Sequence, residues 1–150
     1  MWDVRTGQER AVLGSTASIN VTDIAFSPDG KLLVGVADAA RILVWDIATG
    51  FQLWTLPAND SDVGIAFSPD GQMLASSGKA KGIVLWDLAT GQELYNLTNK
   101  AAVTDLAFSP NGLSVASGDA NSDITLWRMF LFQDVWPDAS RLFNLIFCVE

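Results

Sequence analysis

Short apolar runs separated by turn residues fill the chain up to residue 127, and they recur about every ten residues. This spacing is typical of successive antiparallel strands and is too short for helices. One complete group of runs predicts strands at residues 21–27, 32–37, 41–46 and 51–56. The pattern therefore predicts a chain built almost entirely of β-strands that follow one another as meanders.

The turn between the first and second predicted strands has a sequence that fixes its conformation. In "SPDG" the ring of Pro28 restricts φ, the side chain of Asp29 can hydrogen-bond to its own backbone, and Gly30 allows a positive φ. The turn recurs as "SPDG" from Ser68 and as "SPNG" from Ser109, so that the three copies are equally spaced along the chain. These copies indicate an internal repeat.

Tryptophans mark the same repeat independently. Trp45, Trp86 and Trp127 have the same spacing as the three turns, while the interval from Trp2 to Trp45 is slightly longer. The recurring signature positions are Trp2, Asp3, Trp45, Asp46, Trp86, Asp87 and Trp127. Because two markers share one period, each repeat is predicted to be one four-stranded antiparallel sheet.

Three features resemble WD40 repeats, the blades of β-propellers. They are a Trp-Asp dipeptide that ends the third strand, an "FSPDG" segment that closes the first, and this period. The resemblance implies an all-β partial propeller of about three blades. It divides the chain into a blade stub at 1–13, blades at 21–57 and 62–98, an incomplete blade at 102–127, and an atypical apolar tail at 128–150. The stub is expected to hold a fourth strand near residues 8–13.

The polar network that the resemblance implies is reduced in this chain. There is no histidine, so the Gly-His of a typical WD repeat is missing from every unit. Of that network the tryptophans and the serines Ser76 and Ser117 recur. We therefore expect apolar packing, more than buried hydrogen bonds, to hold neighbouring blades together.

About three blades would leave a propeller open, because propellers close with four to eight blades. An open arc exposes the apolar faces at its two ends, since each blade normally packs against both neighbours. The sequence favours a segment of a larger propeller. It also allows a homodimer in which two chains exchange outer strands and close a six-bladed ring.

The tail after Trp127 breaks the repeat, because Arg128 replaces the expected Asp and no "ATG" turn follows. In one interpretation residues 130–135 form a fourth strand and residues 142–149 cover an open blade face. In the other, the tail is a foreign segment that promotes aggregation. Its apolar run is far shorter than the roughly 20 residues of a membrane-spanning helix, so no membrane partner is expected.

Charge and composition exclude several functions. Nine Lys and Arg stand against seventeen Asp and Glu, and this net charge of -8 disfavours nucleic acid as a partner. The absence of histidine removes the commonest general base and leaves Cys148 without an activating partner. "DANSD" at residues 119–123 resembles the start of a calcium loop but lacks the later Gly and Glu. No catalytic, cofactor or metal site is predicted.

The resemblance implies a non-catalytic protein–protein interaction scaffold, because WD-repeat propellers act as rigid platforms for other proteins. The candidate partner-binding residues lie in the loops on one face of the propeller. They are Asp38, Asn59, Asp60, Asp62, Lys79, Lys81, Asn99, Lys100, Asp119, Asn121 and Asp123. The absence of a signal sequence and of paired cysteines favours the cytoplasm. A fragment with no function of its own and a propeller enzyme are the alternatives.

Overall fold

The computed structural model of the chain describes residues 3–9, 13, 20–37, 41–58, 64–78, 82–130 and 146–149. These residues form three four-stranded antiparallel sheets. The first contains β1 (Val21–Phe26), β2 (Leu32–Ala37), β3 (Arg41–Asp46) and β4 (Gln52–Pro57). The second contains β5 (Ile65–Phe67), β6 (Met73–Gly78), β7 (Gly82–Asp87) and β8 (Gln92–Leu97). The third contains β9 (Val103–Phe108), β10 (Ser114–Asp119), β11 (Ile124–Phe130) and β12 (Ile146–Val149).

Neighbours in the sheets are neighbours in sequence, so each sheet is a meander. The predicted all-β fold of four-stranded antiparallel units is confirmed. The structure places β2 and β3 at the predicted residues, β1 ends one residue earlier than predicted, and β4 is shifted by one residue at both ends. No helix in the described part of the chain is long and apolar enough to cross a membrane.

The repeated turns have the same internal hydrogen bonds. In the first, the Gly30 amide donates to the Ser27 carbonyl at 2.9 Å, and φ of Gly30 is +70°. The Ser27 hydroxyl donates to Asp29 Oδ1 at 2.7 Å and accepts from the Leu32 amide at 2.9 Å. The serine therefore joins the turn to the next strand, a role that the sequence reasoning did not assign.

Each sheet has an isoleucine face, which bears Ile42, Ile83 or Ile124, and a tryptophan face, which bears Trp45, Trp86 or Trp127. The isoleucine face of the first sheet packs against the tryptophan face of the second in one buried cluster. The isoleucine face of the second sheet packs in the same way against the third. Because a strand alternates its side chains, each sheet contributes to the core on either side of it.

The third sheet differs from the expected incomplete blade at 102–127, because it has a fourth strand. β12 pairs with β11, with Trp127 opposite Val149 and Phe130 opposite Ile146. β12 holds the outer position beside β11. Of the fourth strand expected at 130–135, only Phe130 lies within the described residues, where it belongs to β11. The tail lacks the turn sequence that follows β3 and β7, and its apolar segment at 146–149 has residues that favour strands. Residues 131–145 lie outside the described residues.

The stub at the start of the chain repeats the turn between β3 and β4. The Gly7 amide donates to the Asp3 carbonyl at 2.7 Å, as that of Gly50 does to Asp46 at 2.8 Å. Leu13 packs with Trp45 on the tryptophan face of the first sheet. Trp2 and residues 10–12 of the strand predicted at 8–13 lie outside the described residues.

Candidate functional site

Five of the predicted partner-binding residues lie in the described part of the chain: Asn99, Lys100, Asp119, Asn121 and Asp123. The other six, Asp38, Asn59, Asp60, Asp62, Lys79 and Lys81, lie outside the described residues. The structure can therefore place the predicted surface at the second and third sheets. There the candidate residues come from the segment after β8 and from the loop between β10 and β11.

A cleft of about 300 Å³ brings four of these residues together. Its walls are Thr98, Asn99, Lys100, Asp119, Asp123, Ile124, Thr125 and Trp127. Asn121 belongs to the same loop but does not line the cleft. The cleft joins residues that are about twenty positions apart in sequence, because Asn99, in the segment after β8, hydrogen-bonds to Asp119 at the end of β10.

Asp119 organises the loop beside the cleft. Its Oδ1 accepts hydrogen bonds from the Asn121 amide at 2.9 Å and from the Asp123 amide at 3.1 Å. Its Oδ2 accepts a hydrogen bond from Asn99 Nδ2 at 3.3 Å, which links the two sheets. Ser122 adopts φ of 69° to complete the turn. These bonds hold the loop in one conformation, so its backbone is a rigid platform.

The same bonds show what the "DANSD" segment does. Oδ1 of Asp119 is engaged by two backbone amides that close a tight loop, which is how an aspartate stabilises a turn. Within the described ranges, no group of three or more His, Cys, Asp or Glu side chains could hold a metal ion. The segment therefore has a structural explanation in the loop that it forms.

The rim of the cleft carries both signs of charge. Lys100 is exposed and forms no ion pair with another described residue, while Asp119 and Asp123 supply two carboxylates. The Lys100 backbone amide donates to Asn99 Oδ1 at 2.9 Å, which fixes the backbone beneath the ammonium group. A partner segment with polar or charged groups can bind at such a rim, which fits the mixed surface expected from the sequence.

Two apolar residues of β11, Ile124 and Trp127, also line the cleft. Trp127 is 5% exposed, whereas Ile124 is 82% exposed. Described pairing between β11 and β12 stops at Trp127, so residues 124–126 have no described neighbour on that side. In the second sheet the corresponding stretch of β7 pairs with β8, with Ile83 opposite Leu97. The sequence predicted an incomplete third blade, and the missing "ATG" turn after Trp127 was the signal for it.

The signature tryptophans have structural partners. The indole nitrogen of Trp86 donates to the Ser76 hydroxyl at 2.9 Å, and that of Trp127 donates to Ser117 at 2.9 Å. Both hydrogen bonds are buried and link strands of one sheet. In the first sheet Gly35 stands at the serine position, and a side chain there would meet the six-membered ring of Trp45 at 3.0 Å. In the first sheet the Trp45 ring therefore packs directly on Gly35, and this contact takes the place of the indole hydrogen bond.

The signature aspartates cap the turns that follow the third strands. Asp46 Oδ1 accepts hydrogen bonds from the Thr49 amide and from the Thr49 hydroxyl, each at 2.7 Å. The hydroxyl bond is the main cause that lowers the pKa of Asp46. Asp87 Oδ1 accepts from the Ala89 and Thr90 amides at 2.7 and 3.0 Å. These hydrogen bonds show that Asp46 and Asp87 stabilise the turns that follow β3 and β7.

A second cleft, of about 360 Å³, lies between the turns of the second and third sheets. Its walls are Ser68, Pro69, Asp70, Met73, Asn111, Gly112, Leu113 and Met129. Pro69 closes it by packing on the next turn, where a side chain on Gly112 would lie 3.6 Å from the proline ring. The contact fixes the spacing between successive turns, and none of the predicted partner-binding residues lines this cleft.

Comparison with known proteins identifies the repeats. The family model described as "WD domain, G-beta repeat" matches residues 7–46, 50–87 and 91–128. Similar solved structures include one of U3-55K and a crystal structure of the WD40 repeats of RRP9; each has a TM-score of 0.72 and 27% sequence identity over 79% of this chain. The chain spans 38% of the length of each, and no curated protein matches it. With three matched repeats across most of its length, the chain belongs to the WD40 repeat family.

Proposed function

We propose that the chain is a non-catalytic protein-interaction scaffold and that the cleft between Lys100 and Asp119 is part of its partner-binding surface. The observation that carries the proposal is the convergence of four loop residues, predicted from sequence, on one cleft. Rigid sheets position these loops, and the hydrogen bonds of Asp119 hold the shape of one of them. Binding residues commonly occupy loops on such rigid scaffolds.

Charge supports a protein as the partner. The net charge of -8 opposes an approach to nucleic acid, while the rim offers an ammonium group beside carboxylates. Electrostatic complementarity at such a rim acts mainly on association rate and on partner choice. A cytoplasmic location is part of the proposal, and imaging of the tagged chain in cells tests it directly.

The experiment is site-specific photo-crosslinking in cells. A photoreactive residue replaces exposed Asn121, in the loop beside the cleft, and in a matched control it replaces exposed Asn111, in a turn that lines the other cleft. We expect protein adducts at position 121 that are absent at position 111, and we expect Lys100→Glu to reduce their yield severalfold. Equal adducts at both positions, or none at position 121, would contradict the proposed surface.

A further inference from the structure

We infer that Asn111 is a site of spontaneous deamidation and that the turn around it accommodates the aspartate that the reaction forms. The inference concerns a covalent modification and is independent of the proposed partner-binding surface. Three observations carry it. A glycine follows Asn111, the turn has the hydrogen bonds of the two aspartate turns, and the amide nitrogen of Asn111 takes no part in them.

The sequence at this position favours the reaction. Asn111 is the only asparagine in the sequence that precedes a glycine, and glycine has no side chain to hinder its backbone nitrogen. In deamidation the Gly112 nitrogen attacks Cγ of Asn111, the bond from Cγ to Nδ2 breaks, and ammonia leaves with the proton of the Gly112 amide. Water then opens the cyclic imide. Opening at the Cγ carbonyl gives aspartate, and opening at the main-chain carbonyl gives isoaspartate.

The third turn already has the hydrogen bonds of an aspartate turn. Oδ1 of Asn111 accepts from the Ser109 hydroxyl at 2.7 Å and from the Leu113 amide at 3.0 Å. The equivalent bonds to Asp29 measure 2.7 and 3.0 Å, and those to Asp70 measure 2.5 and 3.0 Å. Within the described part of the chain, Nδ2 of Asn111 donates no hydrogen bond. The loss of Nδ2 as ammonia therefore removes no bond from the turn.

A carboxylate suits this turn better than an amide. Both donors of the turn point at one oxygen, and hydrogen bonds to a charged acceptor are stronger than those to a neutral one. In the equivalent position the pKa of Asp29 is lowered to about 2, with the hydrogen bond from Ser27 as the main cause. Isoaspartate does not fit in the same way, because Cγ becomes part of its main chain and lengthens the turn. The two products therefore differ in stability.

The folded turn also controls the rate of the reaction. The Gly112 amide donates to the Ser109 carbonyl at 2.9 Å, and this bond opens before the nitrogen can lose its proton and attack. The Ser109 hydroxyl accepts from the Ser114 amide at 2.9 Å, so the same side chain ties the turn to β10. Asn111 is exposed, and water reaches it when the turn opens. Ser109 is therefore the residue whose loss accelerates deamidation.

The test incubates the full chain at mildly alkaline pH and follows each asparagine by peptide mapping with mass spectrometry. We expect Asn111 to convert severalfold faster than Asn121, which is also exposed but precedes a serine. Ser109→Ala should accelerate conversion of Asn111 about fivefold, the factor that corresponds to one lost hydrogen bond of ordinary strength. Ser27→Ala, the same change in the first turn, is the matched control and should leave this rate unchanged.

Urea denaturation of the products tests the fit of the aspartate. Asn111→Asp, which is the aspartate product, should raise the urea midpoint of the chain. The isoaspartate form, separated by chromatography, should have a lower midpoint than the unmodified chain. A lower midpoint for Asn111→Asp would show that the turn does not accommodate the carboxylate.

Three further results would overturn the inference. In one, Asn111 stays intact in the full chain while it converts in an isolated peptide of residues 107–114, "AFSPNGLS", under the same conditions. In the second, Asn121 converts as fast as Asn111. In the third, Ser109→Ala accelerates Asn121 and Asn111 equally, which would assign the effect to general unfolding and not to the turn.

Discussion

The second and third sheets place the same residue types at the same positions in different environments. Ile83 and Leu85 of β7 are fully buried, whereas Ile124 and Leu126 of β11, one repeat later, are 82% and 39% exposed. β7 has a described sheet on each side of it, and β11 has one only on its tryptophan face. The repeat determines which side chains point sideways, and the neighbouring sheet determines whether water reaches them.

The first strands of the first and third sheets show the same difference at the opposite face. Ile24 of β1 is 61% exposed, while Leu106, at the corresponding position of β9, is 6% exposed. Leu106 packs in the cluster between the second and third sheets. Both comparisons indicate that exposure at the two outer sheets follows from neighbours and not from a change in the repeat sequence.

Removal of matched leucines is the strongest way to test this comparison. Leu85→Ala removes a fully buried side chain and should lower the free energy of unfolding by about 2–5 kcal/mol. Leu126→Ala should cost less than about 1 kcal/mol, because that side chain already contacts water. Urea denaturation followed by tryptophan fluorescence measures both. Equal losses would show that the isoleucine face of β11 is covered in solution.

Two glycines in equivalent backbone conformations give the next largest contrast. Gly91 and Gly30 have φ of 69° and 70°, so alanine strains either position, by about 1–2 kcal/mol. A side chain on Gly91 would also meet the Trp54 ring at 2.7 Å, whereas nothing lies within 4 Å of one on Gly30. Gly91→Ala should therefore cost about 1–3 kcal/mol more than Gly30→Ala.

Thermal unfolding of the two glycine variants measures this difference. Trp54 also donates a hydrogen bond to the Leu88 carbonyl at 3.1 Å, so its ring links the first sheet to the turn of the second. In a Trp54→Leu background, Gly91→Ala and Gly30→Ala should lower the thermal stability by nearly the same amount. A persistent difference there would mean that the Trp54 contact does not explain the larger cost.

The strands and turns could be predicted from sequence because their causes are local. "SPDG" sets a turn through Pro28, Asp29 and Gly30, and alternation sets the strands on both sides of it. Asn99, Lys100, Asp119 and Asp123 could be selected because the resemblance to WD repeats places their loops on one face. Their convergence on one cleft could not be derived, because it depends on how two sheets pack.

The position of the outer strand of the third sheet could not be predicted from the sequence pattern. β12 begins sixteen residues after β11 ends, and no Trp-Asp or "ATG" signal connects them. An apolar run of this kind is compatible with a strand at several positions, so only tertiary pairing decides which residues join the sheet. The same limit applies to Leu13, which lies over Gly50 as Trp54 lies over Gly91.

That contact also explains an irregular spacing in the sequence. Leu13 precedes Trp54 by the regular length of one repeat, while the interval from Gly7 to Gly50 is longer by two residues. The two additional residues therefore lie between Gly7 and Leu13, and they account for the longer interval from Trp2 to Trp45. The repeat is regular on both sides of this insertion, so the insertion does not change the predicted sheets.

The indole hydrogen bond provides a smaller contrast between the first and second sheets. Ser76→Ala leaves the buried indole N–H of Trp86 without its partner, and we expect a loss of about 1–3 kcal/mol. Ser114→Ala is a control, because no hydrogen bond of its side chain links it to a tryptophan. Urea denaturation measures the free energy of unfolding of both variants. If Ser76→Ala and Ser114→Ala lower it equally, the indole hydrogen bond of Trp86 does not distinguish the second sheet from the first.

The smallest expected effect is on the pKa of Asp29, in the first of two nearly identical "SPDG" turns. The pKa of Asp29 is lowered to about 2, mainly by the hydrogen bond from the Ser27 hydroxyl and then by the Lys31 amide. The Lys31 ammonium also lies 3.2 Å from Asp29 Oδ2, but both side chains are exposed. Gln72 stands at the place of Lys31 in the second repeat, so Lys31→Gln gives the first turn the sequence of the second.

Carboxyl-carbon NMR titration of Asp29 tests which contact dominates. Ser27→Ala should raise the pKa of Asp29 more than Lys31→Gln does, because an exposed ion pair is screened by water. Since the folded pKa lies below the ordinary aspartate pKa of 3.8, Asp29 stabilises the fold above that pH, and this contribution is lost as pH falls from 3.8 towards 2. Ser27→Ala should therefore flatten the pH dependence of stability in that range. A larger rise from Lys31→Gln would instead assign the lowered pKa to the ion pair, and the two turns would then differ in charge and not only in sequence.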